Sequence, residues 1–307
     1  MTQTTNHILM VRPVRFAFNE QTAENNAFQQ KTDGNEDVVA QQAIKEFDAY
    51  VQLLRDNGVT VDVLQDTAVP PTPDSIFPNN CFSVHGDTLV IYPMFAPNRR
   101  LERAKLLTVI QENQFKRVLH LEDLEEFGSA LEGTGSLVLD REHRTAYACL
   151  SPRTQLNTLK LWASEMDYDY FAFHSRDKHG TPVYHTNVVM HIGTRQAVVC
   201  LDSIRDSAER EALVSRLEHD GKEVIPITLD QMNQFAGNML ELHNNRGEQL
   251  LVMSQTALHS LTPKQEAALS RYTRIVAPYI NTIESVGGGS ARCMIAELFY
   301  ENNSNNK

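Results

Sequence analysis

The feature that most constrains this chain is a repeat. Five segments read as the end of an amphipathic helix, a short polar turn and an apolar strand: residues 55–66 (RDNGVTVDVLQD), 111–122 (QENQFKRVLHLE), 164–175 (SEMDYDYFAFHS), 217–228 (LEHDGKEVIPIT) and 270–281 (SRYTRIVAPYIN). Their starts lie 56, 53, 53 and 53 residues apart. Helical patterns with apolar spacings of three and four precede them, over 37–54, 99–110, 154–163, 206–216 and 263–269. Strand-like runs fill the intervals, at 88–92, 136–139, 146–150, 188–192, 197–201 and 250–253. Each unit therefore reads strand, strand, helix, strand. The register runs unbroken, so one α/β domain over residues 1–307 is expected, its five ββαβ units closing into a pseudo-fivefold disc around a central cavity. Repetition about an axis leaves few exposed sheet edges. The polar tail 301–307 (ENNSNNK) reads as a frayed end.

Composition narrows the function. Lys+Arg 28 against Asp+Glu 39 gives a net charge of −11, without a basic run, and no nucleic-acid partner is expected. No apolar stretch approaches the roughly 20 residues of a membrane helix. The first twenty residues carry Arg12, Arg15, Asn19 and Glu20 but no signal core, so a cytoplasmic location is expected. Cys81, Cys149, Cys200 and Cys293 show no C-x-x-C spacing, which argues against a zinc site or a disulfide framework. His174, His179, His185 and His191 lie five and six apart, which suits neither a helical nor a strand metal pair, and no metal is expected.

After each of the five strands comes one unusual polar residue: Asn80 in FPNN, Glu132 in LEGTG, His185 in YHTN, Asn238 in AGNML and Cys293 in GGGSARC. Successive gaps are 52, 53, 53 and 55. Equivalent positions of repeats around an axis converge, so these residues are expected to share one cavity. The chemistry is that of a nucleophilic thiolate. A free thiol, with a pKa of about 8.5, needs a base or aimed amides to react near neutrality. His185 suits proton transfer, Glu132 suits fixing its tautomer, and the glycines Gly287–Gly289 suit close backbone approach, so that amides near Gly288 and Gly289 could meet an oxyanion. The reaction class is covalent catalysis on a polarised sp² carbon, with no cofactor.

The chain resembles the pentein-fold enzymes that modify guanidino groups, which include arginine deiminase, dimethylarginine dimethylaminohydrolase and the amidinotransferases, and within them the citrulline-hydrolysing branch. The resemblance rests on VRPVRFAFNEQTAENNAFQ (11–29), FPNN (77–80), APNRRLER (96–103), LEGTGSLVLD (131–140), LSPRT (150–154), YHTNVVM (184–190), AGNMLEL (236–242) and GGGSARCMIAE (287–297). It implies a pentein α/β-propeller, Cys293 as nucleophile, His185 and Glu132 as its partners, and Arg153 with Arg99 or Arg100 gripping a substrate carboxylate. It implies a small amino-acid substrate and leaves a homodimer open. Guanidinium-handling members have F-x-R-D and often H-x-D where this chain has Phe77-Pro78-Asn79-Asn80 and His185-Thr186-Asn187. A cationic guanidinium offers only donors and prefers a carboxylate, whereas a neutral ureido group offers both acceptor and donor, which an amide matches. The departures therefore lean towards citrulline, hydrolysed to ornithine, CO₂ and ammonia through an S-carbamoyl cysteine. The alternatives are an arginine deiminase, a dimethylarginine dimethylaminohydrolase-like amidine hydrolase or an amidinotransferase; a non-catalytic binding disc is disfavoured by the intact Cys–His–Glu set. Asn238 is expected in the cavity, either at the substrate or buttressing the strands.

Overall fold

A computed structural model describes residues 2–31 and 35–300; the tail expected to fray lies outside them. Fifteen strands are numbered along the described chain: β1 (His7–Arg12), β2 (Thr60–Gln65), β3 (Phe82–His85), β4 (Thr88–Ile91), β5 (Arg117–His120), β6 (Val138–Asp140), β7 (Thr145–Cys149), β8 (Asp169–Phe173), β9 (Met190–Ile192), β10 (Gln196–Val199), β11 (Glu223–Pro226), β12 (Leu240–His243), β13 (Gln249–Val252), β14 (Arg274–Val276) and β15 (Ala296–Glu297). They form five three-stranded sheets, β15-β1-β2, β3-β4-β5, β6-β7-β8, β9-β10-β11 and β12-β13-β14. In each, the first strand runs antiparallel to the middle one and the middle one parallel to the third, as in Val138↔Tyr147 and Tyr147↔Phe171. A parallel pair needs a crossover, and the helices supply it.

The ring closes through its ends. β15 pairs with β1, Ile8 opposite Glu297, so the sheet at the start of the chain is completed by the end of it. The first strands of neighbouring sheets adjoin, β15 with β3, β6 with β9 and β9 with β12, which sets them at the centre. The middle strands β7 and β10 are wholly buried, whereas the third strands β2 and β5 are half exposed, as expected of a layer closer to solvent.

Local chemistry explains the helices. Asn35 caps Glu36–Asp56 by accepting from the Asp37 N–H, and Asp206 caps Ser207–His219 through Ala208 and Glu209. Thr262 and Gln265 form a capping box on Pro263–Leu269. The first of these helices buries Ala43, Phe47, Tyr50, Val51 and Leu54, each larger side chain contributing about 1.5–3 kcal/mol. Trp162, wholly buried on Leu156–Met166, donates its indole N–H to Tyr92 Oη at 2.9 Å.

Two expectations change. The helix over 99–110 is two short pieces, Pro97–Arg100 and Glu102–Leu106, meeting at Leu101, whose ψ of −17° tightens the turn. The strands expected at 136 and 188 begin later: Gly133–Ser136 and Thr186–Val189 are single helical turns before β6 and β9. Apolar Val188 and Val189 fit a buried turn as well as a buried strand, so periodicity did not separate the two.

Candidate active site

Those turns build the site. Asn80 lies in the turn Pro78–Asn80 before β3, and Glu132 and His185 immediately precede the turns that enter β6 and β9. Asn238 and Cys293 stand two and three residues before β12 and β15. One residue per repeat is thus delivered at the same point, just before a central strand. All five are buried.

Glu132 and His185 meet directly, Oε2 to Nε2 at 2.7 Å. The other carboxylate oxygen accepts the Phe95 N–H at 3.0 Å, and the Arg153 guanidinium lies 3.6 Å away. Burial works against the Glu132 charge, but Arg153 and the His185 hydrogen bond outweigh it and bring the carboxyl down to about 2. Burial likewise lowers His185; Glu132 resists this only partly, Arg153 and Arg99 add to it, and the imidazole comes down to about 4. At neutral pH the pair is a carboxylate and a neutral imidazole. Nε2–H donates to Glu132, which leaves Nδ1 as the basic atom.

Cys293 receives two amide donors. Asn238 Nδ2 stands 3.2 Å and Asn187 Nδ2 3.5 Å from Sγ. Asn238 is pinned on both sides, since Nδ2 also reaches the Asn187 carbonyl at 2.9 Å and Oδ1 accepts the Arg292 N–H at 3.0 Å. Asn187 Oδ1 has no hydrogen-bond partner among the described residues, and neither polar atom of the fully buried Asn79 side chain has one. Among the described residues no hydrogen bond joins His185 to Cys293; the structure links Glu132 with His185 and Asn187 and Asn238 with Cys293.

The remaining candidates all have partners within the protein. Arg153 is buried, donating to Asn25 Oδ1 at 2.7 Å and the Thr22 carbonyl at 2.9 Å, with its guanidinium 5.0 Å above the Tyr184 ring. Arg100 is partly exposed, bonded to the Met94 carbonyl and 3.4 Å from Glu125. Arg99 is enclosed by Glu102, Asn80 and the carbonyls of Asp74 and Phe77. The Gly288 amide is not available to an oxyanion, because it closes the helix Asn281–Gly287 by donating to the Glu284 carbonyl at 2.9 Å. Gly288 does need its freedom, with φ +65° and Gln29 and Asn26 packed where a side chain would stand. Gly287 and Gly289 lie against the Phe77 ring.

Sequence reasoning missed Gly135. A Cβ there would collide with Asn80 Nδ2 and stand 2.8 Å from His185 Nδ1, so only glycine lets these two groups close over the turn. The signal was present in Glu132-Gly133-Thr134-Gly135, but it reads equally as an ordinary turn. Asp140, His143 and Asp220 could together hold a metal ion. Lys222 already lies 3.2 Å from Asp140, and Arg216 2.9 Å from Asp220, and none of the three belongs to the Cys293 set.

A profile of the family described as N,N dimethylarginine dimethylhydrolase, eukaryotic, matches residues 12–300. The chain belongs to this family. As a member of the dimethylarginine dimethylhydrolase family it is a hydrolase of the guanidino-modifying type. No curated protein matches it. Solved structures agree on the pentein fold. The substrate-bound N-terminal domain of ArgZ, an arginine dihydrolase from the ornithine–ammonia cycle in cyanobacteria, is similar with TM-score 0.72 and 17% identity, over 95% of this chain and 98% of that one. AgrE with L-arginine gives 0.74 and 17%, over 97% of this chain but 41% of AgrE. A dimethylarginine dimethylaminohydrolase adduct with S-methyl-L-thiocitrulline gives 0.65 and 14%, over 94% and 98%. Among the described residues no helix is long and apolar enough to cross a membrane.

Proposed function

We propose that this enzyme hydrolyses the ureido group of a free amino acid, L-citrulline, with Cys293 as nucleophile. The observation that carries the reading is the amide lining: Asn80 packs beside His185 and Asn187 lies against the Cys293 sulfur, at positions where the resemblance to guanidinium-handling enzymes implies carboxylates. An amide satisfies a neutral group that both donates and accepts.

Sγ attacks the ureido carbon, and its proton passes to His185 Nδ1 while Glu132 stabilises the imidazolium that forms. Asn80 and Asn187 offer N–H groups to the oxygen as it gains charge. The tetrahedral adduct collapses: the bond from carbon to the side-chain nitrogen breaks, His185 protonates that nitrogen, and ornithine leaves an S-carbamoyl cysteine. Water, deprotonated by His185, displaces the thiolate and yields carbamate, which decomposes to CO₂ and ammonia. One proton shuttles through one imidazole, so a neutral resting His185 suits both halves.

A second reading, an arginine or methylarginine hydrolase, is favoured by Asn187 Oδ1 and Asn79 Oδ1, which lack partners among the described residues and, as acceptors, suit guanidinium N–H groups, and by the similar structure of AgrE with L-arginine. Incubation of the purified chain with citrulline and with arginine separates the two. Ornithine and one ammonia from citrulline are expected; citrulline from arginine, or ornithine with two ammonia from arginine alone, would refute the ureido reading. Asn80→Asp should move kcat/KM towards arginine, and an unchanged ratio would remove the amide argument.

A further inference from the structure

Asn80 packs beside His185 on the Nδ1 side, and an amide can present either its oxygen or its NH₂. What fixes the choice lies behind it. Arg99 NH1 donates to Asn80 Oδ1 at 2.8 Å. A guanidinium has donors only, so the face of Asn80 towards Arg99 must be the oxygen. The NH₂ is thereby turned to the other side, where it lies 3.3 Å from the Glu132 carbonyl and packs over Gly135 next to His185 Nδ1. Arg99 is itself immobilised. Its Nε and NH2 form a fork on the two oxygens of Glu102 at 2.9 and 3.0 Å, NH2 also reaches the Phe77 carbonyl at 3.1 Å, and Asp74 lies 3.9 Å from Nε. Cys81 donates its S–H to Glu102 at 3.2 Å, closing the shell. The side chains of Arg99 and Glu102 are almost fully buried, so this arrangement has no solvent to relax into.

We propose that Arg99 is a specificity-positioning residue: it locks the Asn80 amide with its NH₂ towards the substrate, making this point of the site a hydrogen-bond donor that donates to a ureido oxygen and rejects a guanidinium N–H. The preference for a neutral substrate thus depends on a residue that does not touch it. An Asp at position 80 would keep one oxygen on Arg99 and turn the other outward, converting the donor into an acceptor without moving the backbone. The inference rests on the ureido reading for the identity of the favoured substrate, but not for the role of Arg99.

The test is the ratio of kcat/KM for citrulline to that for arginine, in the parent, Arg99→Lys, the charge-balanced pair Arg99→Gln/Glu102→Gln, and each of these with Asn80→Asp. Lysine keeps the charge but loses the fork, so it cannot hold Glu102 and Asn80 together. Released to rotate, Asn80 should let the ratio fall roughly 10- to 100-fold, and Asn80→Asp should change the ratio much less in these backgrounds than in the parent. Equal losses on both substrates, with the ratio unchanged, would overturn the proposal and mark Arg99 as merely structural. If Arg99→Lys fails to fold by circular dichroism, the charge-balanced pair gives the same reading. A parent that prefers arginine would refute the citrulline assignment, and the same ratios would still decide whether Arg99 sets the preference.

Discussion

Glu132→Gln is the substitution whose cost the geometry specifies best. The two side chains are nearly isosteric, and the Phe95 N–H needs an acceptor, so the glutamine oxygen is required there. The glutamine NH₂ then faces His185 Nε2, where the carboxylate oxygen now accepts at 2.7 Å. Two donors cannot share that contact, so the imidazole must move its proton to Nδ1 and loses the lone pair that takes the cysteine proton. The lost charge matters as well. A carboxylate and an imidazolium with charges about 4 Å apart are worth about 4 kcal/mol at an effective dielectric constant of about 20. Arg153, 3.6 Å from the Glu132 carboxylate, would then oppose the imidazolium unbalanced. A loss of about 3–4 kcal/mol in the transition state is a fall of about 10²–10³ in kcat. The assay is ornithine release at saturating substrate, with circular dichroism to establish that the variant folds. The parent should also keep its activity down to about pH 5 and lose half near pH 4, where His185 protonates and ceases to be a base. A folded Glu132→Gln enzyme within about fivefold of the parent would refute the triad reasoning.

Further substitutions probe other parts of the argument. Cys293→Ala should abolish turnover while leaving the melting temperature close to that of the parent, because a small buried group is replaced by a smaller one; residual turnover at the parent rate would end the covalent mechanism. Gly135→Ala should cost about 1–3 kcal/mol of stability by overpacking and lower kcat at least about tenfold, since the added methyl meets Asn80 Nδ2 and His185 Nδ1; normal kinetics would show that the two groups can separate freely. His191 is buried, with no partner for Nε2 among the described residues, and burial, then Arg292, bring it down to about 3. The unfolded imidazole binds a proton near pH 6.5 and the folded one does not, so acidification from pH 7 to 5 favours unfolding. His191→Gln should therefore lose less melting temperature over that interval than the parent, and equal losses would show that this imidazole is not what acid attacks.

The repeat was legible because it is written in the order of the chain. Helix patterns at 37–54, 206–216 and 263–269 overlie Glu36–Asp56, Ser207–His219 and Pro263–Leu269, since caps and apolar spacing act within a few residues of one another. Equal spacing then implied an axis, and an axis implied that one position per repeat would approach the others; the structure sets Asn80 and His185 beside Glu132, and Asn238 beside Cys293. Side-chain partnership is a different kind of information. Arg99 and Arg100 are adjacent and identical in type, yet one is enclosed by Glu102 and Asn80 and the other stands partly exposed beside Glu125. Gly288 looked free to aim its amide, but that amide ends a helix. Sequence fixes which groups are available at each turn; only the packing of five sheets decides which hydrogen bond each group spends, because every buried donor and acceptor must be satisfied by whatever distant residue the fold brings to it.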